Sequence, residues 1–215
     1  MTIQVTAAYQ ELAGREPVLA RLIEEYGEVD PFGWSDERME ASNFAAMVLH
    51  IVGQQISTKV AFVLFDRVLA AAGGKVVPES LLALTPDQLR ECGLSRAKAS
   101  YLLDLAQRQA DGRIDLENMT GLDDAEAITA LTAVRGIGLW SAQMFLLAQL
   151  HRTDILPAGD VGIRRAVEKA WGLAELPGIK EVEALAVPWA PYRSYAAALL
   201  WRSLSPSAEA QPALA

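Results

Sequence analysis

The strongest candidate for a binding site in this sequence is a glycine-containing break between two predicted helices, at Gly136-Ile137-Gly138. Glycine permits backbone angles and close approaches that a side chain would block. The helix that follows begins with amide groups that have no partner within the helix, at an end with a partial positive charge. The break therefore predicts an anion site, and a phosphate of a nucleic-acid backbone suits it because amide contacts read no sequence.

A tight turn between two packed helices is the alternative interpretation of these residues. The apolar positions nevertheless keep their register across the break, at Leu131, Val134, Ile137, Trp140 and Ala142. This continuity favours a helical hairpin in which Ile137 anchors the turn in the core.

A single carboxylate, Asp160, stands directly before another predicted helix and follows Pro157-Ala158-Gly159. A carboxylate in this position is first of all an N-cap. The same group can face the sugar of a bound nucleotide, where it would stabilise the positive charge that develops when a glycosidic bond breaks. The target base must first leave the base stack to be reached.

Five segments in order resemble the helix-hairpin-helix-Gly-Pro-Asp superfamily, and within it the 3-methyladenine DNA glycosylase II family. They are residues 50–57, 89–99, 131–142, 156–165 and 189–201, so that the resemblance extends from about Phe44 to Trp201. The chain resembles a compact form of the family, without the N-terminal sheet domain of some members.

The resemblance implies a role for each matching residue. Asp160 falls on the catalytic aspartate of the family. The amides of Gly136, Gly138 and Ser141 would bind a DNA phosphate. The carbonyls of Thr132, Val134 and Ile137 would hold Na⁺ or K⁺ next to that phosphate. Gln55 falls where a wedge side chain enters the duplex, and Gln54 and Arg135 are further candidates for contact with DNA.

The base pocket is implied at Trp140, Trp201 and Met144, and Met144 replaces an aromatic residue of the family. An aromatic face attracts a cation and would suit an alkylated base. Each of these side chains has an alternative interpretation: the tryptophans and Met144 as core residues, Gln54 and Gln55 as caps of a helix end, and Arg135 as a solvated side chain. Because the wedge residue Gln55 is polar and the pocket contains Met144, the sequence does not determine which damaged bases are removed.

Relatives that also cut the strand carry a lysine two residues after the second hairpin glycine, where it forms a Schiff base. That position is Trp140 in this chain. The sequence therefore predicts a monofunctional glycosylase that hydrolyses the N-glycosidic bond of 3-methyladenine or 7-methylguanine and leaves an abasic site. A non-catalytic DNA-binding module, a helical interaction protein and a lyase are the alternatives.

The elements that must position these residues are predicted to be helical, which makes the fold all-α. Helix starts are indicated at Ser42, Ser57, Thr85, Ser95 and Asp123, and later helices at 139–150, 161–171, 180–185 and 192–204. We expect two helical lobes with an active-site cleft between them, approximately 43–150 in one and 1–42 with 151–204 in the other, and a flexible tail at 205–215.

Composition constrains the cofactors and partners. One cysteine and two separated histidines, His50 and His151, predict neither zinc nor an iron–sulfur cluster. We expect a cytoplasmic monomer that associates with the nucleoid and not with a membrane, and whose partner is double-stranded DNA containing alkylated bases. The net charge of −8 argues against DNA binding. A local basic face is predicted from residues near the motifs, namely Arg135, Arg152, Arg164, Arg165 and Lys169.

Overall fold

The computed structural model describes residues 3–33 and 36–204, and within these ranges it contains α-helices and 3₁₀ turns but no β-strand. This confirms the predicted all-α class. The α-helices are α1 (Ile3–Arg15), α2 (Pro17–Tyr26), α3 (Glu37–Glu40), α4 (Asn43–Gly53), α5 (Thr58–Ala71), α6 (Pro78–Leu82), α7 (Pro86–Glu91), α8 (Arg96–Ala110), α9 (Asp124–Thr132), α10 (Leu139–Ala148), α11 (Val161–Trp171), α12 (Ile179–Leu185) and α13 (Arg193–Leu204). Single 3₁₀ turns lie at Met119–Gly121 and Val187–Trp189. No described helix has both the length and the apolar character needed to cross a membrane.

The predicted helix starts are confirmed, because each is fixed by a side chain that accepts a bond from the first turn. Ser42 Oγ accepts from the Ala45 amide at 3.0 Å, and Ser95 Oγ accepts from the Lys98 amide at 3.2 Å. Reciprocal capping boxes begin α7 and α9, from Thr85 and Asp123 respectively. The predicted tail at 205–215 lies outside the described residues.

Helices α1, α2, α3 and α6 were not among the predicted ones. Helix α2 has proline at its first position, and the Glu16 carboxylate accepts a bond from the Val18 amide at 3.1 Å. Its cap is therefore a glutamate, which is a less common cap than Ser, Thr, Asp or Asn. Helix α6 is only five residues long and begins at Pro78. Both starts depend on proline at the first helical position, where its missing N–H has no cost.

One compact unit comprises the described residues 3–33 and 150–204. Its core is built on α13, which packs against α11, α1 and α2. Trp189 and Tyr195 are fully buried there, and the ring of Tyr195 meets that of Tyr9 edge to face at 5.8 Å. This closely packed, mainly apolar interior fixes the helices that carry Asp160 and Trp201.

The second compact unit comprises residues 36–149. Helix α4 is its centre: every residue from Phe44 to Gly53 is buried, and α3, α5, α8 and α10 pack around it. The prediction assigned the residues before 43 to the other lobe, whereas the structure places α3 here because it packs on α4. Two amides at the start of α4, those of Asn43 and Phe44, donate to the Glu117 carboxylate at 3.1 and 3.0 Å.

The imidazole of His50 is the polar group within this apolar helix. It is 3% exposed, its Nε2 atom has no hydrogen-bond partner, and its ring meets Phe145 edge to face at 6.1 Å. Burial lowers the pKa of His50 from its ordinary 6.5 to about 4. The folded state therefore holds the neutral ring at pH values where the unfolded chain takes up a proton.

We expect acid to destabilise the protein through His50. The free energy of unfolding should fall as the pH decreases from about 6.5 to about 4, by about 3 kcal/mol for this group, because only the unfolded state binds the proton in that window. In the variant His50→Leu this part of the loss should disappear. Urea unfolding at pH 7 and pH 4 measures it. His151→Asn, at the exposed second histidine, should retain the full loss, and an unchanged pH profile in His50→Leu would refute the assignment.

Candidate functional site

The predicted hairpin is present between α9 and α10. Helix α9 ends at Thr132, the amide of Ile137 donates to the carbonyl of Val134 at 3.2 Å, and α10 begins at Leu139. Ile137 is 4% exposed, which confirms its predicted role as the anchor of the turn. Gly138 is the N-cap of α10 and supplies no side-chain cap to the first amides of that helix.

The two hairpin glycines serve different purposes. Gly136 has φ +84°, and a Cβ atom there would lie 2.1–2.4 Å from three ring atoms of Tyr101. Gly138 has φ −89°, and a Cβ atom there would meet nothing within 4 Å. The first glycine is thus required by backbone conformation and by close packing. The second leaves open space beside the start of α10, and Leu139 next to it is 55% exposed.

The amides predicted to bind an anion belong to the hairpin and to the start of α10. Ser141 occupies the first turn of α10 and is half-buried, and Gly136 and Gly138 are exposed. Amides of a first helical turn point out of the helix along its axis, at the positive end of its dipole. The arrangement can therefore hold a phosphate or another anion without any basic side chain.

The three carbonyls predicted to hold an alkali-metal ion belong to the same turn. Among them, the Val134 carbonyl already accepts one bond, from the amide of Ile137. A carbonyl oxygen has a second lone pair, and a set made only of oxygen ligands suits a hard cation. The described residues contain no group of three or more His, Cys, Asp or Glu side chains that could hold a metal ion.

The predicted wedge residue lies in a strained turn after α4. Gln55 is exposed and has φ +60°, a left-handed conformation that non-glycine residues rarely adopt. The turn is closed by the amide of Ile56, which donates to the carbonyl of Gly53 at 3.2 Å. Backbone strain of this kind is kept where the surrounding structure enforces it.

The strain at Gln55 predicts an inverted order of stability between two variants. We expect Gln55→Gly to be more stable than Gln55→Ala by about 1 kcal/mol, because alanine keeps the left-handed penalty and glycine removes it. At an ordinary exposed position the order is the reverse. Chemical denaturation of the two variants measures the difference, and an alanine variant of equal or greater stability would contradict it.

Gln54, a candidate DNA contact, is half-buried and directed toward the hairpin. Its Nε2 donates to the carbonyl of Gly136 at 2.8 Å. Its backbone amide donates to the carbonyl of Ile51 at 3.4 Å, so the residue also takes part in ending α4. Arg135 is exposed, and its amide donates to Asp104 Oδ2 at 3.0 Å.

Two of the predicted pocket residues belong to α10. Trp140 is half-buried, as a side chain at the edge of a pocket would be. Met144 is 1% exposed, which favours its alternative interpretation as a core residue. The pattern of apolar residues along α10 could not separate the two roles, because a pocket wall and a core face have the same helical spacing.

Asp160 and Trp201, in the unit formed by 3–33 and 150–204, are brought into direct contact. Asp160 is the N-cap of α11, and its Oδ1 accepts from the amide of Ile163 at 2.9 Å and from Trp201 Nε1 at 3.1 Å. The carboxylate is half-buried, as is the indole. Two N–H donors on one oxygen fix the orientation of the group.

Gly162 makes this contact possible and was not singled out from the sequence. A Cβ atom at Gly162 would lie 2.9 Å from Asp160 Oδ1 and 3.4 Å from Trp201 Cδ1. Any side chain there would therefore move the carboxylate or the indole. A glycine in the first turn of a helix, two residues after its capping acid, was the only indication in the sequence.

The segment that leads to Asp160 is held by the start of α13. Arg193 pairs with Asp154 through two hydrogen bonds of 2.7 and 2.6 Å. The buried Ser194 hydroxyl accepts from the amide of Ile155 at 3.0 Å and donates to the carbonyl of Arg152 at 2.6 Å. Because α13 also carries Trp201, a single helix positions both the loop before Asp160 and the indole that contacts it.

The predicted basic face is only partly supported. Arg165 and Lys169 are exposed and lie one turn apart on α11. The Arg164 side chain is instead used internally, since its Nε donates to the carbonyl of Pro177 at 2.7 Å.

A family model described as "HhH-GPD superfamily base excision DNA repair protein" matches residues 48–191. The putative DNA-3-methyladenine glycosylase YfjP of Bacillus subtilis is 30% identical over 173 residues, which are 77% of this chain and 60% of that protein. The chain thus spans less than two thirds of the length of this curated relative.

Two solved structures are similar over almost the whole chain. A DNA-3-methyladenine glycosidase from Bacillus halodurans has a TM-score of 0.82 and 32% identity, covering 92% of this chain and 89% of its own. The 3-methyladenine DNA glycosylase of Schizosaccharomyces pombe, solved in complex with abasic DNA, has a TM-score of 0.80 and 26% identity, covering 94% of this chain and 100% of its own.

Proposed function

This chain belongs to the HhH-GPD superfamily of base excision DNA repair proteins, and we propose that it is a monofunctional glycosylase that removes alkylated purines from double-stranded DNA. The observation that carries the proposal is the capping carboxylate of Asp160, which is oriented by the Ile163 amide and the Trp201 indole. The similar proteins named as 3-methyladenine glycosylases support the choice of substrate class.

The reaction requires little from the protein. An everted 3-methyladenine or 7-methylguanine nucleotide is cationic, so the base is a good leaving group and departs neutral with the electron pair of the glycosidic bond. Positive charge then develops on the sugar, where the Asp160 carboxylate stabilises it. Water adds to C1′ and releases a proton, which leaves an abasic site. The π face of the Trp201 indole, whose Nε1 donates to Asp160, would favour a cationic base.

The absence of strand cleavage is part of the proposal. A lyase needs an amine that attacks C1′ and forms a Schiff base. Trp140 stands two residues after Gly138, where strand-cutting relatives carry a lysine, and an indole cannot be the nucleophile.

We also propose that the carbonyls of Thr132, Val134 and Ile137 hold Na⁺ or K⁺. The cation would lie where the C-terminal end of α9 offers partial negative charge, and it would supply a positive charge beside the DNA phosphate bound by the hairpin amides. Neither zinc nor an iron–sulfur cluster is part of the proposed mechanism.

The experiment that tests this function is incubation of the protein with a methylated duplex, followed by chromatography of the released bases. We expect free 3-methyladenine or 7-methylguanine, an abasic product that breaks only on treatment with alkali, and no covalent adduct on addition of borohydride. DNA binding without any released base would instead identify a non-catalytic module, and a borohydride adduct would identify a lyase.

A further inference from the structure

One face of α8 contacts both of the loops that the proposed function places on DNA. Lys98, Tyr101 and Asp104 are spaced by three residues and therefore share this face. Lys98 Nζ donates to the carbonyls of Val52 and Gln54, at 2.7 and 2.6 Å, at the end of α4.

The other two residues of this face contact the hairpin. The Tyr101 ring occupies the space that a side chain at Gly136 would need. Asp104 Oδ2 accepts from the amide of Arg135 at 3.0 Å, and the same oxygen accepts from Arg108 Nε at 2.8 Å. Helix α8 thus supports the Gln55 turn through its first turn and the hairpin through residues nearer its middle.

Gln54 joins the two loops directly. Its carbonyl is bound by Lys98, and its side-chain Nε2 donates to the Gly136 carbonyl across 82 residues of sequence. Both ends of Gln54 are therefore engaged inside the unit, whereas the neighbouring Gln55 is exposed with φ +60°. The hydrogen bond from Gln54 Nε2 to the Gly136 carbonyl therefore constrains the position of Gln55 relative to the start of α10.

We infer that Gln54 is a positioning residue that couples the inserting side chain of Gln55 to the phosphate-binding hairpin, and that it does not itself read the DNA. The inference rests on the proposed function for the roles of Gln55 and the hairpin. When the hairpin binds the backbone of a duplex, the Gln55 side chain would enter that duplex at a fixed distance from the bound phosphate. Loss of the Gln54 bond would leave both loops supported by α8 but would remove the hydrogen bond that joins them directly.

The test uses a duplex that contains a tetrahydrofuran abasic analogue with 2-aminopurine beside it, because 2-aminopurine fluoresces more strongly when it leaves the base stack. No bond needs to be cleaved. Gln54→Met removes the donor and keeps the length of the side chain. We expect Gln54→Met and Gln55→Ala each to lower the unstacking equilibrium about fivefold, the factor that corresponds to one hydrogen bond. The double variant should lose no more than either single variant, since both act on one coupled step.

Three results would overturn the inference: wild-type fluorescence in Gln54→Met, independent losses that multiply in the double variant, or loss of abasic-DNA binding without any change in unstacking at saturation. Gln10→Met, at an exposed position of α1, is the matched control and should behave as wild type. Gln54→Glu replaces the donor by an acceptor and gives the same test if methionine prevents folding.

The outcome separates this inference from the proposed function. Coupled unstacking without release of any methylated base would retain the role of Gln54 and reject the glycosylase. Base release by a protein whose unstacking does not depend on Gln54 would support the glycosylase and reject the role of Gln54.

Discussion

Asp160→Asn should bind DNA as the wild-type protein does but release alkylated bases at least about 10²-fold more slowly, the scale of losing a main electrostatic stabiliser. Asparagine caps helices as well as aspartate does, so the bonds from the Ile163 amide and Trp201 Nε1 can persist and the fold is expected to be kept. What disappears is the negative charge. Single-turnover release from a methylated duplex measures the rate, and fluorescence anisotropy with an abasic analogue measures the affinity.

The chain offers a control with the same chemical change at another helix start. Asp123 caps α9, accepting from the Glu126 amide at 2.8 Å, and it is exposed. Asp123→Asn should leave the release rate unaltered. This result would show that the slower release in Asp160→Asn is not caused by the change in net charge. Equal release rates in Asp160→Asn and wild type would reject Asp160 as the catalytic carboxylate. A parallel loss of DNA binding would point instead to a structural role.

Gly136→Ala is expected to have the largest effect on stability. The added Cβ atom would overlap the Tyr101 ring at 2.1–2.4 Å, and alanine is strained at φ +84°. Together these effects should cost about 3 kcal/mol or more, which corresponds to a decrease in Tm of roughly 10 °C for a chain of this size. Affinity for DNA should fall as well, because the hairpin carries the predicted phosphate site. Thermal unfolding and anisotropy measure the two effects.

The second hairpin glycine supplies the comparison. Gly138→Ala adds the same methyl group at φ −89°, where nothing lies within 4 Å, so its stability should stay within about 0.5 kcal/mol of wild type. Combining Gly136→Ala with Tyr101→Ala should recover the part of the loss that is due to overlap and leave the part that is due to backbone strain. Equal stabilities of the two glycine variants would show that the hairpin tolerates rearrangement around Tyr101.

The helix starts were predictable because their causes are local. Ser42, Asp123 and Asp160 each bind an amide three residues ahead, so that a short stretch of sequence contains both partners. The anchor Ile137 was predictable for the same reason, since apolar spacing on either side of the turn fixes which face is buried.

The contacts that bring loops together were not predictable in this way. The bond from Gln54 to Gly136 and that from Trp201 to Asp160 join residues 82 and 41 positions apart, and no local pattern relates them. The choice between a core role and a pocket role for Met144 also depended on packing. Lys98 was part of a matching segment, but its role as a cap of α4 required the arrangement of α4 and α8.

The open start of α10 bears on how an acidic protein can hold a polyanion. Where amide dipoles rather than lysine and arginine side chains meet the phosphate, few condensed counterions are displaced from the duplex. Affinity should then decline only gently with ionic strength, and the chain can carry a net charge of −8 without needing an extended cationic surface. Long-range attraction is correspondingly weak, so the duplex is captured by short-range fit more than by electrostatic steering.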